Sequence, residues 1–219
     1  MNCPRCQQFL AVDATRCGQC GFDQDGVCQK LGNQWVRLER LTDSAHCLRL
    51  RDHRRLDALL DDFGRQFPQV FLAVYFGVLP VGLNVSEAGF WLLNHAAFGT
   101  HEVAKRNDFG IVIVIDPAHG AAGISLGYSL EPVLGEGFLE VTLSRASAHL
   151  GRSEHGAALE LIIPRIAAKL RSAGKPRPAS MEKWSPTHGA ADMGLSPLRQ
   201  AHTGKAVQSK GAVSEEAPS

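Results

Sequence analysis

Four cysteines open the chain in two C-x-x-C pairs, Cys3/Cys6 and Cys17/Cys20, with ten residues between the pairs. Each pair can present two thiolates to one ion, and four soft sulfurs in a tetrahedron suit zinc. Iron in a rubredoxin-like site uses the same ligands. Gly18 and Gly21 permit tight turns around the second pair. With all four positions filled by protein, the expected role is structural or docking rather than catalytic. A segment this short can hardly bury a core without metal. A disulfide knot would need an oxidising compartment, and the start M-N-C-P-R-C has no apolar leader. A redox C-x-x-C would need a βαβ context, absent around these residues. Cys28 and Cys47 fall outside the pattern and read as free, partly buried thiols. Cys47 does not open a C-x5-R phosphatase loop, because His53 stands where the arginine would.

A second set of chemistry-bearing groups is acidic. Residues 107–133 hold an apolar run, 111–115, a turn with Asp116, Pro117, His119 and Gly120, and a second apolar run, 121–128. Pro117 fixes φ and Gly120 is permissive, so a β-hairpin is expected. Neither strand alternates with polar residues, which places the hairpin deep in a sheet. With the turn centred near 118 and 119, Asp108 lies opposite residues 129–130 and Glu131 becomes its neighbour. Asp116, at the turn end, reads as a strand-terminating residue only.

The motifs of this stretch resemble the TPM domain family, named for thylakoid acid-phosphatase-like proteins, photosystem repair proteins and an acetylcholine-receptor modulator. Asp108-Phe109-Gly110 is similar to its Asp-Asn-Gly, with Phe109 in place of Asn. Gly127-Tyr128-Ser129-Leu130-Glu131 is similar to its Gly-Tyr-Gly-Leu-Glu, with Ser129 in place of Gly. Asp43, in R-L-T-D-S-A, resembles the Asp that ends an early strand. The resemblance covers roughly residues 37–171, about one domain by ordinary domain size. It implies an acidic corner of Asp43, Asp108 and Glu131. Converging carboxylates are hard oxygen ligands suited to Ca²⁺ or Mg²⁺. Read without the resemblance, Asp43 caps the next segment. The resemblance also implies weak acid phosphatase activity, in which a divalent ion polarises the phosphoryl group and activates water. No nucleophile, general acid or arginine clamp can be named for it. Loss of the family Asn at Phe109 favours a non-catalytic binding module, and fold likeness does not establish chemistry.

The elements that must position these groups follow hydrophobic periodicity. Residues 35–41 alternate and read as a strand stopped at Thr42-Asp43-Ser44. Residues 53–67 read as an amphipathic helix with Leu56, Leu59, Leu60, Phe63 and Phe67 on one face, ended by Pro68. Arg49, Arg51, Arg54 and Arg55 lie among Asp52, Asp57, Asp61 and Asp62, so they form a solvated charged face rather than a phosphate site. Residues 70–76 read as a buried strand. Ser86 is the expected N-cap of a helix through about residue 98. His95 and His101 lack an H-E-x-x-H or H-x-H partner. Two helices follow Glu131. The first is marked by Phe138, Val141 and Arg145. The second starts near Ser153 and carries Leu159, Ile162, Ile163, Ile166 and Leu170, with Pro164 expected to kink or split it.

The expected fold is α/β: a three-layer α/β/α sandwich with a mixed sheet, plus a small N-terminal zinc ribbon and a disordered C-terminal tail. The expected domains are 1–24 ribbon, 25–34 linker, 35–172 TPM-like α/β domain and 173–219 tail. The tail is rich in Ala, Gly, Ser, Pro and Lys, with Met181, Trp184, Met193 and Leu195 isolated in it. Asp23-Gln24-Asp25-Gly26-Val27 matches a haloacid-dehalogenase nucleophile loop formally, but it follows the cysteine knuckle rather than a buried strand. The net charge of +1 draws the chain to neither nucleic acid nor membrane. No apolar run is long enough to span a bilayer, so the expected place is the cytoplasm and the expected partner a protein, met through the ribbon or tail.

Overall fold

Two strands made almost wholly of apolar residues form the centre of the molecule. Phe71–Phe76 and Gly110–Asp116 lie side by side in parallel, and every residue of the second is buried. Continuous burial on both faces is what such runs specify. The computed structural model describes residues 2–10, 14–34, 36–98 and 107–174. Its elements are α1 (Gln24–Leu31), β1 (Val36–Leu38), β2 (Leu41–Asp43), α2 (Leu50–Gln66), β3 (Phe71–Phe76), α3 (Val85–His95) and β4 (Ala96–Phe98). After a single 3-10 turn (Asn107–Phe109) come β5 (Gly110–Asp116), β6 (Ala121–Leu126), α4 (Glu131–Leu134), α5 (Glu136–Gly151) and α6 (His155–Ala173).

The main sheet has the order β2-β3-β5-β6, with β6 antiparallel and the others parallel. β1 and β4 pair separately, in parallel. Alternate residues of the central strands feed two apolar layers. Leu72, Val74, Phe76, Ile111, Ile113 and Ile115 pack with the buried faces of α2 and α6. Phe71, Ala73, Val112 and Val114 pack with α3, α1 and the cysteine segment. This is a mixed α/β sheet covered on both faces, as expected.

Several local expectations change. Residues 25–34, expected as a linker, carry helix α1, capped by the Asp23 carboxylate accepting from the Gly26 N–H. That cap accounts for the dehalogenase-like Asp-x-Asp-Gly spelling. The expected strand 35–41 is divided between β1 and β2. Among the described strands β6 is the edge of the sheet rather than an interior strand, and Gly123 alone in it is buried. Nothing after β6 returns to the sheet among the described residues. On α5, Val141 is 48% exposed and the buried face is Thr142 and Ala146. α6 runs through Pro164 unbroken, since Leu159, Ile162, Ile163 and Ile166 are buried on both sides of it. Trp35, His101 and the tail beyond residue 174, with Met181, Trp184, Met193 and Leu195, lie outside the described residues.

Candidate functional site

The two cysteine pairs form two turns of the same design. Gln7 N–H donates to the Cys3 carbonyl at 2.9 Å and Gly21 N–H to the Cys17 carbonyl at 2.8 Å. Cys3 N–H reaches Gln8 O and Cys17 N–H reaches Phe22 O, both at 2.8 Å. Each turn needs one residue at positive φ: Gln7 at 62° in the first, Gly21 at 70° in the second. Glycine suits that conformation and glutamine tolerates it at a cost. Short antiparallel bridges, Asn2 with Phe9 and Arg16 with Asp23, close both turns.

These turns bring the four sulfurs together. All four ligand atoms lie within 4.8 Å of one another, and Cys3–Cys20 and Cys6–Cys17 cross between the turns at 3.6 Å. Zinc with sulfur ligands at about 2.3 Å spaces them about 3.8 Å apart in a tetrahedron. The donor set and its dimensions fit such an ion. Burial raises the Cys3 thiol, against backbone N–H groups of Cys6 and Arg5. Cys17 is lowered to about 6, chiefly by the Cys20 N–H. Cys6 is pushed up to about 12: the Gln8 N–H lowers it, but burial and the shared sulfur contacts outweigh that. A cation held between the four sulfurs would draw off the protons they still carry.

The cysteine segment does not stand apart from the α/β body. Both belong to one compact unit. Arg5, inside the first C-x-x-C, donates through Nε to the carboxylate of Glu87 at the start of α3. Glu87 is 1% exposed. Its other oxygen accepts from Asn84 N–H at 3.0 Å, while Asn84 Oδ1 accepts from Glu87 N–H at 2.8 Å. This is a reciprocal capping box, so Asn84, not Ser86, heads the helix. The guanidinium also lies 5.8 Å over the Phe22 ring, and Phe22 meets Phe90 edge-on at 5.8 Å. The spelling Asn84-Val-Ser-Glu87 carried the capping signal; its link to Arg5 spans too much chain for any local pattern to show.

The acidic corner is not assembled. Asp43 ends β2 and pairs with Phe76, which pairs with Ile115 at the end of β5. Asp108 precedes the start of β5. Asp43 and Asp108 are thus at opposite ends of the sheet, roughly 20 Å of strand apart. Among the described residues the four cysteines are the only cluster of three or more such donors. Parallel pairing of β2, β3 and β5 is the reason: it puts both strand-ending aspartates, Asp43 and Asp116, at one end. Asp108 does lie opposite Ser129, whose N–H donates to Asp108 O at 3.0 Å.

Asp43 and Asp116 both hold backbone. Asp43 accepts from Cys47 N–H at 3.1 Å and Leu48 N–H at 2.9 Å. Burial works to raise it, but these donors outweigh burial and keep it below the usual 3.8. Asp116, 2% exposed, accepts from the N–H groups of Leu79, Ala118 and His119 and from His119 Nδ1 at 2.7 Å. It too is lowered, with burial opposing and the His119 bond the strongest of the lowering effects. Asp116 is therefore more than a strand terminator: it ties the 77–84 loop to the hairpin turn. His155, buried beneath this end, contacts Phe76 edge-on, and its Nδ1 has no hydrogen-bond partner among the described residues. Burial lowers its pKa, against the pull of Asp43. Cys47 is pushed up to about 11 by burial and then by the Asp43 charge. Cys28 lies 3.7 Å from His95 Nε2, and burial raises its thiol.

Asp108 and Glu131 instead line a cleft of about 400 Å³ that follows β6 and its continuation, residues 122–128. Phe90 and Leu93 of α3, with Pro4 and Gln7 of the first cysteine turn, form one wall; Leu139 and Leu143 of α5 form the other. Glu136 and Glu140 add two more carboxylates. Among the described residues no cation pairs with any of the four. No helix among the described residues is long and apolar enough to cross a membrane.

No family model matches the chain, and no curated protein matches it. Among the solved structures similar to it are two N-terminal domains. One is the N-terminal domain of a protein from P. gingivalis, 19% identical, covering 61% of this chain and 82% of its own, with a TM-score of 0.45. The other is the N-terminal domain of the cg2496 protein from Corynebacterium glutamicum, 15% identical, covering 68% of this chain and 90% of its own, with a TM-score of 0.46.

Proposed function

We propose that this chain is a non-catalytic accessory module in which a structural zinc, held by Cys3, Cys6, Cys17 and Cys20, fixes a ribbon onto an α/β domain. The observation that carries this reading is the closed set of four sulfurs within 4.8 Å, latched to α3 through Arg5 and Glu87. A closed four-cysteine site leaves no open position for substrate, which favours structure over catalysis at the metal. The order of the motifs around Asp43, Asp108 and Glu131 supports assigning residues 35–172 to a TPM-like domain, with 1–24 as the ribbon. The phosphatase alternative, and Ca²⁺ or Mg²⁺ at those three carboxylates, lose their geometric basis because Asp43 is at the far end of the sheet. A protein partner, met in the cytoplasm, completes the proposal.

Elemental analysis of the purified chain, with its visible spectrum, tests the metal. One colourless zinc per chain is expected, lost together with the ribbon fold in a Cys17→Ser variant. A coloured iron site, or a Cys17→Ser protein with unchanged metal content and thermal unfolding, would contradict the reading.

A further inference from the structure

We propose that the cleft along β6 takes an extended, basic segment of a partner protein as an additional strand of the sheet. This rests on the accessory-module reading and names the chemistry of the partner. β6 is the last strand of the sheet, and no described strand lies beyond it. Gly127 N–H donates inward to Gly110 O at 2.8 Å. Alternation along an antiparallel ladder then turns the N–H and C=O of Ala122, Ile124 and Leu126 outward, into the cleft. The lined strand residues, 122–126, give roughly 16 Å of strand edge. Their sequence, A-G-I-S-L, has no Lys, Arg, Glu or Pro of the kind that normally guards an edge. The walls guard it instead, and leave a slot between α3 and α5. Strand addition to an edge beside a helix is an established mode of peptide recognition: main-chain bonds give affinity and the walls give specificity.

Charge selects the occupant. Asp108, Glu131, Glu136 and Glu140 line the slot, with no Lys or Arg among its described lining residues. A strand alternating basic and small side chains meets both the acidic rim and the outward backbone groups. Pro4 and Gln7 belong to the first cysteine turn, so an ion bound there would also brace one wall of the slot.

The test uses the full zinc-loaded chain, isotope-labelled, titrated with an end-capped peptide of alternating lysine and threonine. Amide shifts should concentrate at Ala122, Ile124 and Leu126. Affinity should fall at least about tenfold in the surface double variant Glu136→Lys/Glu140→Lys, and vanish when alternate peptide amides are N-methylated. The inference is overturned by unmoved β6 amides at millimolar peptide, by equal binding of the N-methylated peptide, or by equal binding of a glutamate–threonine peptide. It is also overturned if β6 amides shift on dilution without peptide, which would make a second copy the occupant. The same spectra separate the two readings. Native Glu87 and Phe90 amides with a silent β6 remove this inference alone, whereas loss of zinc and of those native amides removes the accessory-module reading beneath it.

Discussion

The two ends of the central sheet use carboxylates in opposite ways. At the end formed by Asp43 and Asp116, each side chain is enclosed by backbone N–H groups and its pKa is lowered. Toward the other end, Asp108, Glu131, Glu136 and Glu140 face a cleft with no described cation paired to them. A buried carboxylate that accepts several N–H bonds holds loops in place and is poor at meeting a ligand. One on an open cleft adds little to stability and remains available to a partner. The end whose aspartates are enclosed is architecture, and the end whose carboxylates line the cleft is the one with room.

Substitutions can break this contrast, and the largest effect belongs to Asp116. Asp116→Ala strands the N–H groups of Leu79, Ala118 and His119 and should cost about 3 kcal/mol in urea unfolding. Arg5→Ala leaves Glu87 buried with, among the described residues, the Asn84 bond alone for its carboxylate; with Arg5 itself 41% exposed, a loss of about 1–2 kcal/mol is expected, together with altered Glu87 and Phe90 amides. Asp43→Ala removes a cap over two N–H groups and should cost about 1 kcal/mol. Asp108→Asn and Glu131→Gln, on the open cleft, should change stability by no more than about 0.5 kcal/mol. If the cleft pair cost as much as Asp116, the contrast would fail.

Acid titration sharpens the same contrast. Asp43 and Asp116 have folded pKa values below the ordinary 3.8. The unfolded chain therefore takes up protons first as pH falls. Their contribution is fully present above 3.8 and is lost as pH drops through the folded values. Asp116→Asn should flatten that part of the acid-unfolding curve. His155 acts at higher pH with the same sign. Its folded pKa is below 6.5, so its contribution is present above 6.5 and declines as pH falls below it. His155→Leu should remove the slope between 6.5 and the carboxylate range.

Much of this is legible along the chain wherever the cause is local. Turn chemistry at Pro117 and Gly120 sets the hairpin centre, and with it the pairing of Asp108 and Ser129. The cysteine spacing specifies two matched turns. The apolar stripe of Leu56, Leu60 and Phe63 specifies the buried face of α2. What cannot be read is set by contacts distant in sequence. Whether Asp43 shares an end with Asp108 or with Asp116 depends on parallel pairing of β2, β3 and β5, which no residue near Asp43 encodes. The Arg5–Glu87 latch joins two segments whose local patterns, a metal turn and a helix cap, are each complete without the other. The apolar composition of β6 points to an interior strand, yet it is the last described strand of the sheet, and α3 and α5 flank its edge without filling it.

The most direct test of the whole account is a comparison of amide spectra of the full chain before and after removal of metal by a chelator. On metal removal Glu87, Phe90 and the cleft-facing residues Ile124 and Leu126 should lose their native shifts while Ile113, Ile163 and the rest of the α2–α6 face keep theirs. Unchanged shifts at Glu87 and Phe90 in metal-free protein would show that the cysteines neither hold the ribbon in place nor shape the cleft, and would contradict it.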